Sequence, residues 1–171
     1  MSRPQPAEYD PYYEKYVGLV PEDEIIPALE SQVEELRKLF ADVPEDRGTF
    51  TYDDGKWTTK QVLSHLIDGE RIFAYRALRI ARGDKTPIEG FEQDGYVENS
   101  HANRRSFHEL LHEFRLVREA NVLFFKNLEI GDWVRTGTAN DVEISVRSLA
   151  WIMVGHIRHH IAILRSRYLD Q

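Results

Sequence analysis

Gly155-His156-Ile157-Arg158-His159-His160-Ile161-Ala162-Ile163-Leu164 is the stretch that decides how this chain folds. The hydrophobic period predicts one amphipathic helix from Val146 to Tyr168. At about 100° per residue, Leu149, Met153, His156, His160 and Ile163 fall within about 80° of one another. Apart from the two imidazoles that stripe is apolar, so both imidazoles are expected to point inward. A buried neutral imidazole costs free energy unless it has a partner. Structural hydrogen bonds would supply one, and so would a metal ion shared by the pair. A stable metal site needs at least a third ligand, for which His65 is the candidate.

Three further helices follow outward from this one. The first is expected from Pro21 to Asp42, with Leu29, Val33, Leu36 and Phe40 as its stripe. The second begins after Trp57, where Thr58 and Gln61 have capping-box spacing. It continues through Val62, Leu66, Phe73, Ala77 and Ile80 to a stop at Gly83. The third is expected from Asn99 to Leu128, through Phe107, Leu110, Phe114, Val117, Phe124 and Leu128. Residues 43–56, with Pro44, Gly48 and Gly55, read as a loop. Residues 84–98, with Pro87, Gly90 and Gly95, read as a long loop that covers something. Residues 131–145 have room for a short hairpin. The expected fold is all-α, a four-helix bundle with a long connection between helices 2 and 3. It forms one domain over residues 1–171, with residues 1–20 as an N-terminal extension packed on the bundle.

Composition narrows the chemistry. The chain has no cysteine, so disulfides, thiolate ligands and a cysteine nucleophile are excluded. Any metal must sit on nitrogen and oxygen. A net charge of −7 argues against a nucleic-acid partner. No stretch has the run of about 18 apolar residues expected of a membrane span. Met1-Ser2-Arg3-Pro4-Gln5-Pro6 lacks the apolar run of a signal peptide, so a cytoplasmic location is expected.

His65 lies about 60° to the side of Val62, on a polar line with Asp68, Ile72, Arg76 and Arg79. Such a line on a largely apolar helix faces a cavity or an interface. Alone, a single histidine there is more often a hydrogen-bonded structural group. Asp68 is a candidate to orient an imidazole or act as general base, against the plainer reading of a bond to Arg71 or Arg76. Arg76 and Arg79 could hold an anionic substrate, or be ordinary surface arginines. His108 and His112 share the spacing of His156 and His160 but lie about 100–140° from the apolar stripe of their helix, so they are expected in solvent. His101 reads as a cap or loop residue, and His159 as reaching the bundle edge. Tyr9, Tyr12, Tyr13 and Tyr16 are expected in core packing, with the pocket mouth or an interface as alternatives.

Lys56-Trp57-Thr58 opens helix 2, His65 stands in His65-Leu66-x-Asp68-x-Glu70-Arg71, and Gly155-His156 is followed by His159-His160. With Tyr12-Tyr13-x-x-Tyr16 and the stretch Phe73 to Asp84, these features resemble the DinB-like superfamily of metal-binding four-helix proteins over nearly the whole chain. The resemblance implies three metal ligands, on His65, His156 and His160. It implies a divalent transition metal, zinc or nickel first, with iron or manganese as alternatives. The function it implies is a metal-dependent enzyme on a small-molecule substrate. Such an enzyme is a hydrolase using activated water or a transferase using a low-molecular-weight thiol, working as a homodimer. A non-enzymatic stress-response or binding module with a structural or vestigial metal is the alternative.

Overall fold

The computed structural model describes residues 1–169. The expected domain of residues 1–171 thus ends two residues outside the described ones. A short α1 (Glu14–Val17) precedes α2 (Ile25–Leu39) and α3 (Thr59–Ala81). A short α4 (Gln93–Asn99) interrupts the crossing to α5 (Phe107–Lys126). Then α6 (Ile130–Trp133) and a hairpin of β1 (Thr136–Ala139) and β2 (Val142–Ser145) lead into α7 (Val146–Ile163). The chain continues from α7 in a wider π turn over Leu164–Leu169.

The four long helices α2, α3, α5 and α7 form the expected bundle. Helix α3 packs between α7 and α5, and α2 closes the other side against the same two. Helix α7 is the most enclosed: Leu149 through Ile157 is buried at every position, on all sides of the helix. A helix buried all round has no solvent face, and its polar residues must be matched from within. The N-terminal segment covers one of its faces, with Val17 and Val20 fully buried and α1 packed on α7.

The boundaries depart from the sequence reading in physically clear ways. Helix α3 starts as expected: Thr58 Oγ1 accepts from the Gln61 amide at 3.2 Å, and Gln61 Oε1 accepts from the Thr58 amide at 2.8 Å. Gly83, at φ 77°, ends it in the left-handed conformation that glycine adopts without steric cost. The first helix is shorter than expected, because Glu24 caps it in extended conformation and Phe40 ends it. The third begins at Phe107 rather than Asn99. Its true start is a second capping box, in which Ser106 Oγ accepts from the Glu109 amide at 3.1 Å and Glu109 Oε2 from the Ser106 amide at 2.8 Å. His101, at φ 55°, breaks the chain between α4 and α5, which makes it the loop residue anticipated. The expected hairpin is present, turning at Asn140 and Asp141, both with positive φ as a type I′ turn requires. The loop of residues 84–98 is tied to this hairpin: the Ile88 amide donates to Thr138 O at 2.9 Å, and the Asn140 amide to Ile88 O at 2.8 Å.

One buried polar network links all four long helices. Arg118 of α5 donates to both carboxylate oxygens of Glu70 on α3, at 2.8 and 2.7 Å. It also donates to Leu29 O at 3.0 Å and Gln32 Oε1 at 2.8 Å on α2. Gln32 Nε2 passes the chain on to Val154 O of α7 at 2.8 Å. The guanidinium is fully buried, and a charge there is tolerable only with such complete pairing.

Candidate metal centre

Between α3 and α7 the two helices approach closely at Gly69. A Cβ at that position would lie 3.1 Å from His156 Cε1, so only glycine leaves the imidazole its full space. One turn before Gly69, His65 reaches across, and its Nε2 stands 3.0 Å from His156 Nε2. His160 follows one turn along α7, with its ring centroid 4.9 Å from that of His65 and 4.7 Å from that of His156. One ring nitrogen from each of the three lies within 4.8 Å of the others. His65 and His156 are buried, His160 half-buried.

The electrostatics favour neutral rings. Burial pulls His65 down to about 4 and His160 to about 3. His156 drops well below its ordinary value, first through burial and then through the neighbouring imidazoles. Near pH 7 each ring therefore keeps a nitrogen lone pair. Among the described residues none of the three rings bonds to a carbonyl or a carboxylate; the contact of His65 and His156 is with each other. A set of structural histidines would be expected to show such partners. Two nitrogens 3.0 Å apart match two ligands of one ion at bond lengths of about 2.0–2.1 Å, whose mutual spacing is about 2.9–3.4 Å. The donor set suits a transition metal.

The surroundings are aromatic. Trp57 lies against His65 with centroids 4.8 Å apart, and Phe73 meets His156 edge-on at 5.6 Å. Tyr16 roofs the site, edge-on to His156 at 5.4 Å and to His159 at 5.5 Å. A cavity of about 260 Å³ opens from His65 and His156 between Tyr13, Phe73, Arg76 and Phe91. The loop of residues 84–98 thus covers this cavity. Tyr9 and Tyr13 pack in the core, while Tyr12, Tyr13 and Tyr16 line the pocket, so both roles foreseen for the tyrosines occur. A second cavity, of about 280 Å³, is lined by His160 with Tyr52, Lys56 and Trp57.

Other candidates fall elsewhere. Asp68 makes no hydrogen bond to the three imidazoles; its charged neighbours are Arg71 and Glu113, and burial raises its pKa. Arg79 pairs with Asp84 at 2.6 Å, which is the surface role considered for it. His108 and His112 stack at 6.2 Å on the exposed face of α5. The sequence reading missed Arg118 and Gln32, although each lies on the inward stripe of its helix. It also missed the loop contributions of Phe91 and Asn140, which no periodicity announces.

The model of the DinB superfamily matches residues 28–164. Among solved structures, YfiT from Bacillus subtilis, described as a probable metal-dependent hydrolase with an unusual four-helix bundle topology, is similar at a TM-score of 0.75. Identity is 20%, over 94% of this chain and 89% of that one. A mycothiol-dependent maleylpyruvate isomerase is similar at a TM-score of 0.69 and 11% identity. That match takes in 85% of this chain and spans 61% of the isomerase chain. No curated protein sequence matches. At these identities the likenesses speak for the fold, which is the bundle described above. No described helix is long and apolar enough to cross a membrane. With the family model matching most of its length, the chain belongs to the DinB superfamily.

Proposed function

We propose that His65, His156 and His160 hold one divalent transition metal, zinc or nickel before iron or manganese, and that the chain is a metal-dependent enzyme acting on a small molecule. The observation that carries this reading is the convergence of three neutral imidazoles, which among the described residues bond to no carbonyl or carboxylate, with His65 and His156 lining a cavity. Three protein ligands leave at least one position open, which is the catalytic rather than the structural type of site. A bound metal would lower the proton affinity of water or of a thiol and so supply a nucleophile near neutral pH. The protein's part is to hold the three rings neutral, to keep Gly69 clear of His156, and to limit water with Trp57, Phe73 and Tyr16.

One feature favours a thiol-dependent transfer over simple hydrolysis. Two cavities adjoin the triad, one at His65 and His156 and one at His160. Two adjoining cavities suit two reactants; hydrolysis needs a single organic one. Cobalt-substituted protein tests both points. A thiolate-to-cobalt absorption band on adding a low-molecular-weight thiol supports the transfer reading. A response to azide alone supports hydrolysis. A spectrum indifferent to both would defeat an enzymatic role and leave a binding module.

A further inference from the structure

Two arginines are buried in this bundle, and they are treated differently. Arg118 has a carboxylate, an amide and a carbonyl for its guanidinium. Arg76 is 4% exposed and has no carboxylate within ion-pair distance among the described residues. Its Nη2 donates to Glu89 O at 3.1 Å, while its Nε has no partner. Burial lowers its proton affinity, opposed only by the Tyr13 phenol. A guanidinium keeps its proton in proteins, so this charge needs a counter-ion.

The position of Arg76 shows where one would come from. Residue 76 is eleven positions after His65, about 20° from it around α3 and about 16 Å along the axis. Gly69 lines the cavity between them, and long helical side chains lean toward the helix N-terminus, back toward the triad. Arg76 lines the same cavity as His65 and His156. The side walls are Tyr13, Phe73 and Phe91, with the Phe91 ring 6.0 Å from the Arg76 guanidinium carbon. No lysine lines this cavity, and Glu92 stands at its edge, so a dianion such as phosphate would be poorly matched. A planar monoanion suits a lone fork of N–H donors.

Building on the reading of the triad as the reaction centre, we infer that Arg76 binds the carboxylate of a small organic acid whose flat or apolar body lies between Tyr13, Phe73 and Phe91 and whose other end faces His65 and His156.

The test is calorimetric titration of the full-length protein, as purified and after metal removal, with benzoate, benzamide and phenyl phosphate. Benzoate is expected to bind in both forms, since its site is Arg76 and not the metal, and to bind about tenfold or more tightly than benzamide. In Arg76→Gln that preference is expected to vanish, with benzamide binding retained as evidence of an intact pocket. Arg76→Lys, which keeps the charge without the fork, is expected to recover only part of it. Equal affinity for benzoate and benzamide, tighter binding of phenyl phosphate, or an unchanged preference in Arg76→Gln would overturn the inference. Metal content is measured in the same samples. Absence of benzoate selectivity in the unsubstituted protein, with metal present, condemns the acid site alone. Selective benzoate binding by a protein that takes up no metal condemns the metal reading and leaves Arg76 as the acid site.

Discussion

The Tyr16 carbonyl occupies the space that a Cβ on Gly155 would need, with the Tyr16 Cα 2.9 Å from that position. The N-terminal segment is therefore seated on α7 one residue before His156, and its tyrosine roof depends on the missing side chain. Gly155→Ala is expected to push the segment off, at a cost of about 2–3 kcal/mol for overpacking. Limited proteolysis within the first twenty residues and a thermal melt would check this. An unchanged digestion pattern would contradict it.

Two ion pairs hold the same segment down, and both titrate. Arg147 Nε donates to Glu8 at 2.6 Å and Arg158 Nη1 to Glu22 at 2.8 Å. Burial pushes the Glu8 carboxyl up, but the hydrogen bonds from Arg147, Gln5 and Ser145 outweigh it and hold it below its ordinary value. The Arg158 guanidinium does the same for Glu22. A carboxyl depressed in the folded state stabilises fully above its unfolded value of about 4.3, and that stabilisation is lost as pH falls through the lower folded value. Stability should thus decline below about pH 4, and the decline should be shallower in Glu8→Gln. Denaturation midpoints measured against pH in the two proteins decide this, and parallel curves would count against it.

The Arg118–Glu70 pair is fully enclosed, so removing one partner leaves a buried charge. Arg118→Ala is expected to cost about 3–5 kcal/mol by urea denaturation. The double variant Glu70→Gln with Arg118→Met should lose less than the sum of the two singles, since neither group is then left alone. Additive losses would show that the two residues do not act as a pair.

Gly69→Ala separates stability from the site. Replacing a mid-helix glycine favours the helix by about 1 kcal/mol. The added methyl would meet His156 Cε1 at 3.1 Å and Nδ1 at 3.3 Å, so the ring must shift by a few tenths of an ångström. Melting temperature should hold while metal affinity, read by competition with a chelator, falls. Unchanged affinity would show that His156 tolerates the shift.

Much of this was legible in the residues. The inward stripe of Leu149, Met153, His156 and His160 located α7, and the contrast in facing direction with His108 and His112 separated a converging pair from a solvated one. The capping box at Thr58 and Gln61 places α3, whereas the one at Ser106 and Glu109 is masked by the longer apolar period around it. Arg118 and Gln32 were obscured because a polar residue on an apolar stripe has no visible partner until helices distant in sequence are brought together. Long-range packing also decided the role of Gly155, whose reason is a backbone at Tyr16, and of Arg76, whose isolation depends on what the other elements fail to bring near it.

Binding of one metal ion by His65, His156 and His160 is tested most directly by elemental analysis of protein purified without added metal. About one equivalent of a transition metal is expected, lost alike in His65→Ala, His156→Ala and His160→Ala and retained in His108→Ala and His112→Ala. Retention in any of the first three variants would contradict the triad.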